Sequence, residues 1–544
     1  MRLVLDTNVA VSAVLWGGTA RLLLHAAREK RIRVRCCRLF IEMFAMKTLP
    51  RFPAAIAAIA ALLAGCAAVG PDFKAQTPGA PADFAAWHGG AAELADAGRS
   101  APNASAEPRG WAMFGDPALD ALLARVLAAN PDLQTAALRF AQSRAQLGIA
   151  GSQQGIQVGV SAGATRLRAS ENGETTRMLD AIDPPNREDL VKFLSAPHNF
   201  YQAGFDASWE IDLWGRVRRA IESAGANVAA AQAMLAQVRW NVQTEAARRY
   251  FELRAAQRQI SLAREDIAVA EETLRLVQAR ADGGLTTDLD VARQSAQAAD
   301  LRARLPQLLA QEAQAINQIT LLAGERPGAL QAELAPPRDL MDISALPDLS
   351  LGLPSELALR RPDIQMAQAQ LHAATADIGV AVADLYPRIV IGAGLGLQSV
   401  SGGGFTDWGS RQWSIGPSLQ LPLFDHGRRR ATVTLRELQQ QEAAVAWQQT
   451  VLKAWHEIDD ALSAYTAERR RNAELALRER SSRDALQLAR VRYERGLTDF
   501  LVPLDAERTW LQARRDQSDS DSRLALALVA VTKALGGAGD AGGA

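Results

Sequence analysis

Few residues in this sequence have the types and the spacing that a chemical reaction would need. Gly159, Ser161 and Gly163 fit the GxSxG pattern of a nucleophilic serine, which requires a sharp strand-to-helix turn and a supporting histidine and acid. Ser161 lies instead within a segment that alternates like a strand. The six histidines are scattered without an HExxH frame, and no GxxxxGK(S/T) phosphate loop occurs. We therefore expect a protein that is not an enzyme and that uses no metal or cofactor.

Asp6, within residues 1–45, is a further candidate for chemistry. The segment MRLVLDTNVAVSAVLW resembles the first strand of a PIN-type nuclease, in which Asp6 would hold a metal. A two-metal nuclease needs more acidic residues, from a full domain, and one carboxylate cannot replace them. We interpret residues 1–45 as an over-extension of the gene model, so that the true start of the protein is Met46 or Met43. The alternative is a genuine fusion.

Residues 46–65 have the layout of a signal peptide, because basic residues precede an apolar run that is too short to span a bilayer. The ending Leu-Ala-Gly-Cys66 resembles the lipobox of a bacterial lipoprotein. This implies cleavage before Cys66 and attachment of lipid, such as palmitate, to its thiol. Cys36 and Cys37 lie upstream of the cleavage, so the mature chain would keep no free thiol. The alternative is a short buried helix with an ordinary cysteine.

Composition excludes several classes of protein. The 544 residues include 60 Lys+Arg and 60 Asp+Glu, and zero net charge argues against a nucleic-acid partner. A hydrophobic content of 48% is too high for a disordered chain. The length corresponds to several domains or to one elongated body, and the abundance of Ala, Gln, Arg and Leu is typical of long packed helices.

The sequence contains an internal repeat. Asn130-Pro-Asp matches Arg361-Pro-Asp at an offset of 231, whereas Gly284-Leu-Thr matches Gly496-Leu-Thr at an offset of 212. The lower offset means that the first copy has a longer insertion upstream of its helix–turn–helix unit. We place the copies at 111–350 and 351–536, and each should comprise a helix, two strands, a very long helix, a turn and another helix. Residues 66–110 should form a lipidated tether or coil, and residues 537–544 a flexible tail.

Four segments alternate between apolar and other residues with the period of a strand. They are residues 156–168, 201–213, 388–398 and 413–423. In the last of them, one face should carry Trp413, Ile415, Leu419, Leu421 and Leu423. Alternation over about ten residues, with aromatic residues near the ends, is typical of outer-membrane strands. The alternative is a half-buried sheet in a soluble protein.

Two segments, Arg216 to Asp282 and Gly427 to Arg495, predict helices of about 100 Å. Their apolar spacing of three and four indicates coiled coil. Four strands cannot close a barrel, and open edges are not tolerated in lipid, so several chains must close it together. Three chains give twelve strands, which leave a lumen. The predicted fold is mainly α with a transmembrane β part, a trimeric 12-stranded barrel on a coiled-coil tunnel. The second hypothesis is a structural coiled-coil lipoprotein without a lumen.

Ordered motifs from about Cys66 to Leu535 resemble the TolC-like outer-membrane efflux factors, specifically the NodT-type lipoprotein branch. They are Gly70-Pro-Asp-Phe73, Trp111-x-x-Phe-x-Asp-Pro-x-Leu119, Asn130-Pro-Asp-Leu, Trp209-Glu-Ile-Asp-Leu-Trp-Gly-Arg216, Arg361-Pro-Asp, Leu423-Phe-Asp-x-Gly427 and Arg492-Tyr-x-x-Gly-Leu-Thr498. The resemblance implies the outer membrane channel of a tripartite efflux or secretion system in a Gram-negative bacterium. Such a homotrimer would be a passive duct for small molecules such as drugs, driven by an inner-membrane pump through a periplasmic adaptor.

The resemblance also assigns site residues. The adaptor-contacting tips would be Gly284, Leu285 and Thr286 in the first repeat and Gly496, Leu497 and Thr498 in the second. The alternative is that these residues only end their helices. Leu501 and Asp505 are four apart and share a helix face, so a trimer would form a leucine ring that blocks and an aspartate ring that attracts cations. This matches the family's constriction motif, but Val502 stands where some members carry a second aspartate.

Overall fold

The computed structural model describes residues 2–4, 33–35, 68–77, 79–81, 83–98, 110–182, 184–338 and 360–536. The chain divides into the units Met1–Ala67 and Ala68–Ala544. In the first unit, β1 (Arg2–Val4) pairs in parallel with β2 (Arg33–Arg35). Asp6 and Cys66, on which the nuclease and lipoprotein interpretations depend, lie outside the described residues, as do residues 537–544.

The second unit is mainly helical. Its α-helices are α1 (Pro117–Ala129), α2 (Pro131–Ser152), α3 (Glu174–Ile182), α4 (Arg187–Ser195), α5 (Arg216–Asp282), α6 (Asp288–Leu322), α7 (Gln331–Leu334), α8 (Pro362–Ala383), α9 (Arg428–Glu494) and α10 (Leu501–Ala534). The long helices α5 and α9 have 67 residues each, or about 100 Å at 1.5 Å per residue. Both predicted long helices are therefore confirmed. Within the described residues, every helix is too short or too polar to cross a bilayer.

In each repeat, a hydrogen bond joins the start of one helix to the end of another: α2 to α6 in the first repeat, and α8 to α10 in the second. The Asn130 side chain accepts a hydrogen bond from the Leu133 N–H at 3.0 Å, which caps α2, and donates one to the Leu322 carbonyl at 2.8 Å. In the second repeat, Arg361 Nη1 donates to the Ala534 carbonyl at 2.7 Å. Leu322 and Ala534 are related by the offset of 212. Thus α2 and α6 stack end to end along α5, and α8 and α10 stack along α9.

The main apolar core lies where the middle of α5 packs against α1 and against the ends of α6 and α10. Its most deeply buried side chains include Leu119, Leu122, Val126, Tyr250, Leu253, Ile316, Ile319, Leu528 and Val531. Helix α1 was not predicted. Its cap, Asp116, accepts bonds from two backbone N–H groups of the first turn and also a hydrogen bond from the Tyr250 hydroxyl. The helix is therefore fixed to α5 by both packing and a partly buried polar contact.

Four strands form one antiparallel sheet in the order β3, β4, β5, β6. They are β3 (Gln157–Leu167), β4 (His198–Ile211), β5 (Arg388–Ser399) and β6 (Arg411–Gln420). All four predicted strands are present, but the predicted end of the last one is wrong. Leu421 and Leu423 lie beyond the sheet, because Gln420 already pairs with Arg388, the first residue of β5. Pro387 precedes Arg388 and has no N–H with which to continue the ladder.

The connections between paired strands account for the two repeat offsets. Residues 168–197 join β3 to β4 and contain α3 and α4, which the sequence had not predicted. Residues 400–410 join β5 to β6 and contain only a short 3-10 turn at Trp408–Ser410. The first connection is longer by 19 residues, which is the difference between the offsets of 231 and 212. The predicted insertion in the first repeat is therefore this helical loop.

The described residues within 68–98, called here the N-terminal strap, lie against the helices. Val69 donates its N–H to the Trp214 carbonyl at 3.0 Å, where β4 has just ended. Arg219, which is buried on α5, donates to Asp72 Oδ1 at 2.6 Å. A 3-10 turn at Ala92–Gly98 packs on α9. The strap is thus attached both near the sheet and along the helical body.

Candidate functional site

The register of the sheet places the alternating residues of all four strands on common faces. Val158, Ala207, Ala393 and Ile415 form one row across the sheet, and their neighbours Gly159, Asp206, Gly394 and Ser414 form a row on the opposite face. The first face carries Val158, Val160, Phe205, Trp209, Ile391, Leu395, Trp413 and Ile415. The second carries mainly glycine, serine and glutamine. The sheet therefore has one apolar face and one polar face.

Among the described residues of a single chain, little covers the apolar face. Trp413 is 75% exposed, and Val160 and Ile415 are nearly as exposed. Soluble monomers rarely expose an apolar surface of this extent, so this face must meet another apolar phase. The edges of β3 and β6 also have no partner strand among the described residues. The pattern does not fit a half-buried sheet in a soluble protein.

The two predicted tips are helix-ending turns of the same geometry. Gly284 and Gly496 each have a φ of 71°, the left-handed region that glycine enters without strain. In the first turn, Leu285 donates its N–H to the Arg280 carbonyl at 2.8 Å; in the second, Leu497 donates to the Arg492 carbonyl at 2.9 Å. These six-to-one bonds define a Schellman motif. The glycines are therefore needed to end α5 and α9 whether or not the tips bind a partner.

The leucines of the two turns point into solvent. Leu285 is 79% exposed and Leu497 is 63% exposed. The threonines differ, because Thr286 donates to Asp290 Oδ2 at 2.7 Å while the Thr498 hydroxyl is buried without a partner among the described residues. Leucine side chains, rather than threonines, are thus the most accessible apolar groups at both tips.

Asp290 is a residue that the sequence reasoning missed. It accepts hydrogen bonds from Thr286 and from Thr287, forming a capping box at the start of α6. The offset of 212 relates Asp290 to Val502, whose side chain cannot accept a hydrogen bond. Applying that offset to every residue of the first turn would have revealed the difference. As a result, α6 is capped by side chains and α10 is not.

Leu501 and Asp505 lie on the outward side of α10, one turn apart. Leu501 is 43% exposed, whereas Leu504 on the inward side is buried. The Asp505 carboxylate has no hydrogen-bond or ion-pair partner within the part of the chain that the structure describes. Both residues border a groove of about 760 Å³ that also contains Arg478 and Asp499. The arrangement leaves a bulky apolar side chain and a free carboxylate side by side on one surface.

The two tips lie at the same end of the bundle. The Arg280 guanidinium, near the first turn, lies 4.9 Å from the ring centroid of Tyr493, near the second. Tyr493 also packs beside Phe500, Val277 and Leu504 in a small apolar cluster. Contacts between the two hairpins therefore begin within the last turns of α5 and α9.

A buried carboxylate joins the hairpins farther from the tips. Asp266 on α5 is almost fully buried and lies 3.3 Å from Arg514 and 3.4 Å from Arg515 on α10. Burial holds the pKa of the Asp266 carboxyl above its usual range, although the two arginines oppose this effect. Removing either arginine would leave a buried charge less compensated, so this contact fixes α10 against α5.

Comparison with known proteins places this geometry in a family. The profile of the outer membrane efflux protein family matches residues 122–325 and 353–537. The chain belongs to the outer membrane efflux protein family. The resemblance to TolC-like efflux factors is thereby confirmed.

Individual members of the efflux family align over most of this chain. The outer membrane protein OprJ of Pseudomonas aeruginosa is 32% identical over 492 residues, covering 89% of this chain and 96% of OprJ. The pyoverdine export outer membrane protein OpmQ of the same species is 33% identical, covering 81% of this chain and 89% of OpmQ. These relatives are similar along nearly their whole length.

Solved efflux channels share the fold. The outer-membrane channel OprN is 34% identical with a TM-score of 0.75, covering 86% of this chain and 99% of OprN. The open-state outer membrane channel MtrE of Neisseria gonorrhoeae is 26% identical with a TM-score of 0.70, covering 87% of this chain and 98% of MtrE. This efflux family member is therefore an outer membrane channel protein with the predicted helical and four-stranded architecture.

Proposed function

We propose that three copies of this chain form a passive export duct through the outer membrane. In the trimer, β6 of each copy pairs with β3 of the next, which gives a closed barrel of twelve strands. The observation that carries this proposal is the two-faced sheet with two open edges. Closure satisfies every edge N–H and C=O, turns the apolar face to lipid and leaves the polar face around a lumen.

The sheet fits the apolar thickness of an outer membrane. Tyr201 and Trp209 lie on the apolar face of β4, eight residues apart, or about 27 Å along the strand. Because barrel strands are tilted, about nine to eleven residues cross the membrane, and the nine residues from Tyr201 to Trp209 match that length, with an aromatic residue at each end. The helices, which are attached beyond Trp209, then extend into the periplasm, and residues 168–197 and 400–410 face the cell exterior.

A lipid on Cys66 would attach the N-terminal strap to the same membrane. Val69 and Asp72, only a few residues after Cys66 in the sequence, are bonded to Trp214 and Arg219 beside the end of β4. The strap therefore begins where the sheet joins the helices. An acyl chain at Cys66 would supplement the anchoring by the sheet.

The constriction of the duct consists of Leu501 and Asp505. Three copies would bring three leucines and three carboxylates together on the surface that each chain leaves exposed. The leucine ring closes the duct because its side chains narrow the passage and exclude water from it. The carboxylate ring favours the passage of cations. Opening then requires that α10 move away from the axis.

The tips bind a periplasmic adaptor, which connects the duct to an inner-membrane pump that supplies the energy. Leu285 and Leu497 are accessible apolar side chains on glycine-ended turns, and removing an exposed leucine from water in an interface contributes about 1.5–3 kcal/mol. The cargo would be small molecules such as drugs, and the choice among them would belong to the pump. Each duct would serve several cargoes.

Accumulation of a fluorescent dye in cells tests the export function. A Gram-negative strain that lacks this gene should retain more dye, and the intact gene should restore efflux. The matched control is Leu501→Gly with Asp505→Ala, which should make the outer membrane leaky to large dyes without active efflux. Equal retention with and without the gene, at normal levels of pump and adaptor, would contradict the proposal.

A further inference from the structure

We propose that Asp206 on β4 forms a second charge-selective ring, inside the barrel and independent of Asp505. The proposal rests on the trimeric duct proposed above, because three copies are needed to bring three carboxylates around one lumen. It assigns a role in selectivity to a residue of the sheet rather than of the constriction.

Asp206 lies on the polar face, in the row Gly159, Asp206, Gly394 and Ser414. Glycine therefore flanks it on both neighbouring strands. A Cβ added at Gly159 would meet nothing within 4 Å, so the space beside the carboxylate on the β3 side is open among the residues that the structure describes. A Cβ at Gly394 would approach Asp206 Oδ1 to 3.7 Å, so a longer side chain there would begin to cover it. The row leaves the carboxylate open to the lumen.

A hydrogen bond orients the carboxylate. Ser161 Oγ donates to Asp206 Oδ2 at 3.1 Å across the β3–β4 pair. This bond uses one acceptor position of the carboxylate and supplies no positive charge. The Asp206 carboxylate therefore retains most of its capacity to attract cations.

Within the four described strands, Asp206 is the only charged residue of the polar face that has no ion-pair partner. The other charged residues of that face are Glu210 and Arg388, at the end near the helices. Glu210 lies 2.6 Å from Arg388 and 2.9 Å from Arg216, so those charges are paired. The middle of the polar face is neutral except for Asp206.

The expected effect is moderate and depends on salt. Carboxylates on the wall of a twelve-stranded barrel lie on the order of 10 Å from its axis. At this separation, three charges should raise the ratio of cation to anion permeability about threefold to fivefold at 0.1 M salt. At 1 M salt the Debye length falls to about 3 Å, and the effect should nearly vanish.

Reversal potentials of single channels in a KCl gradient test this inference. The background is Leu501→Gly with Asp505→Ala, which removes the constriction and its charge. Adding Asp206→Asn should lower the cation preference about threefold to fivefold near 0.1 M and should change it little near 1 M. Ser161→Ala, which keeps the charge and loses the hydrogen bond, should retain most of the preference.

Moving the carboxylate to a neighbouring position distinguishes a loss of charge from damage to the barrel structure. Ser208 lies on the same face two residues along β4, so Asp206→Asn combined with Ser208→Asp should restore the cation preference. An unchanged reversal potential after Asp206→Asn at low salt would overturn the inference while leaving the duct intact. Failure of the background variant to conduct would instead overturn the duct itself.

Discussion

Thr286 donates a hydrogen bond to the carboxylate of Asp290 at 2.7 Å, and the related pair in the second repeat, Thr498 and Val502, cannot form it. The two turns have the same backbone geometry and the same glycine φ of 71°. They therefore differ in side-chain capping and not in shape. The turn that leads into Leu501 and Asp505 is the one that lacks the cap.

Val502→Asp should stabilise the second turn. The new carboxylate would accept from the Thr498 hydroxyl and cap the start of α10, and a cap contributes about 1 kcal/mol. Hydrogen exchange of backbone amides at the start of α10 should slow about fivefold. Val502→Ala, which adds no acceptor, should not slow it. Hydrogen exchange that is unchanged in Val502→Asp would contradict the prediction, because it would show that an acceptor at position 502 does not stabilise the start of α10.

Asp290→Val should have the opposite effect on the first turn, because it recreates the arrangement of the second repeat. Exchange at the start of α6 should become faster by a similar factor, of about fivefold. Peptides from the middle of α6 serve as the internal control. Equal exchange in the variant and the parent would contradict the role given to the capping box.

Leu497→Arg should impair export without lowering the amount of protein. Leu497 is largely exposed, so a cation there should not disturb the fold, but it should disrupt an apolar contact with the adaptor because burying an unpaired charge is costly. Leu497→Met, which preserves the apolar surface, is the control. A bulky charge at Thr498 is a less specific test, because the Thr498 hydroxyl is buried. Normal export by Leu497→Arg would contradict adaptor binding at this tip and would mean that the turn only ends helix α9.

The N-terminal strap should dock more tightly at low pH. His88 Nδ1 lies 2.6 Å from Asp459 Oδ1, and Nε2 lies 3.1 Å from the Ala91 carbonyl oxygen. Both partners are acceptors, so both ring nitrogens can donate only in the protonated imidazole. The hydrogen bond to Asp459 raises the pKa of His88 above 6.5. The contribution of His88 to the stability of the docked strap is therefore complete below the pKa of His88 in the unfolded chain. It is lost as the pH rises through the higher pKa of His88 in the folded chain.

Limited proteolysis across the pH range measures this effect. Cleavage within residues 83–98 should be faster at pH 9 than at pH 6, after correction for the pH dependence of the protease itself. His88→Gln should remove most of the difference, because glutamine does not titrate. A parent protein whose cleavage is the same at both pH values would contradict the linkage.

Cys66→Ala should abolish labelling of the protein by radioactive palmitate. The lipobox predicts that this thiol carries the lipid, and the other two cysteines lie upstream of the predicted cleavage. Cys36→Ala with Cys37→Ala is the matched control and should be labelled normally. Labelling that persists in Cys66→Ala would contradict the lipoprotein interpretation.

Local and periodic features were predictable from the sequence. The ends of α5 and α9 follow from the glycine turns, and the faces of the sheet follow from alternation. The contact between His88 and Asp459 joins residues 371 apart and has no sequence period. The end of β6 at Gln420 depends on where β5 begins, which the sequence of β6 alone does not contain. The capping difference at Val502 was accessible through the repeat, but only by comparing side chains that do not belong to the shared motif.

The central claim is that these chains enclose a conducting duct, and single-channel current of the purified protein in a planar bilayer tests it most directly. The parent should give discrete, cation-preferring openings, and Leu501→Gly with Asp505→Ala should give larger openings with weaker cation preference. Reconstituted trimers of the variant that insert into the bilayer but carry no current would contradict the duct and favour a structural lipoprotein.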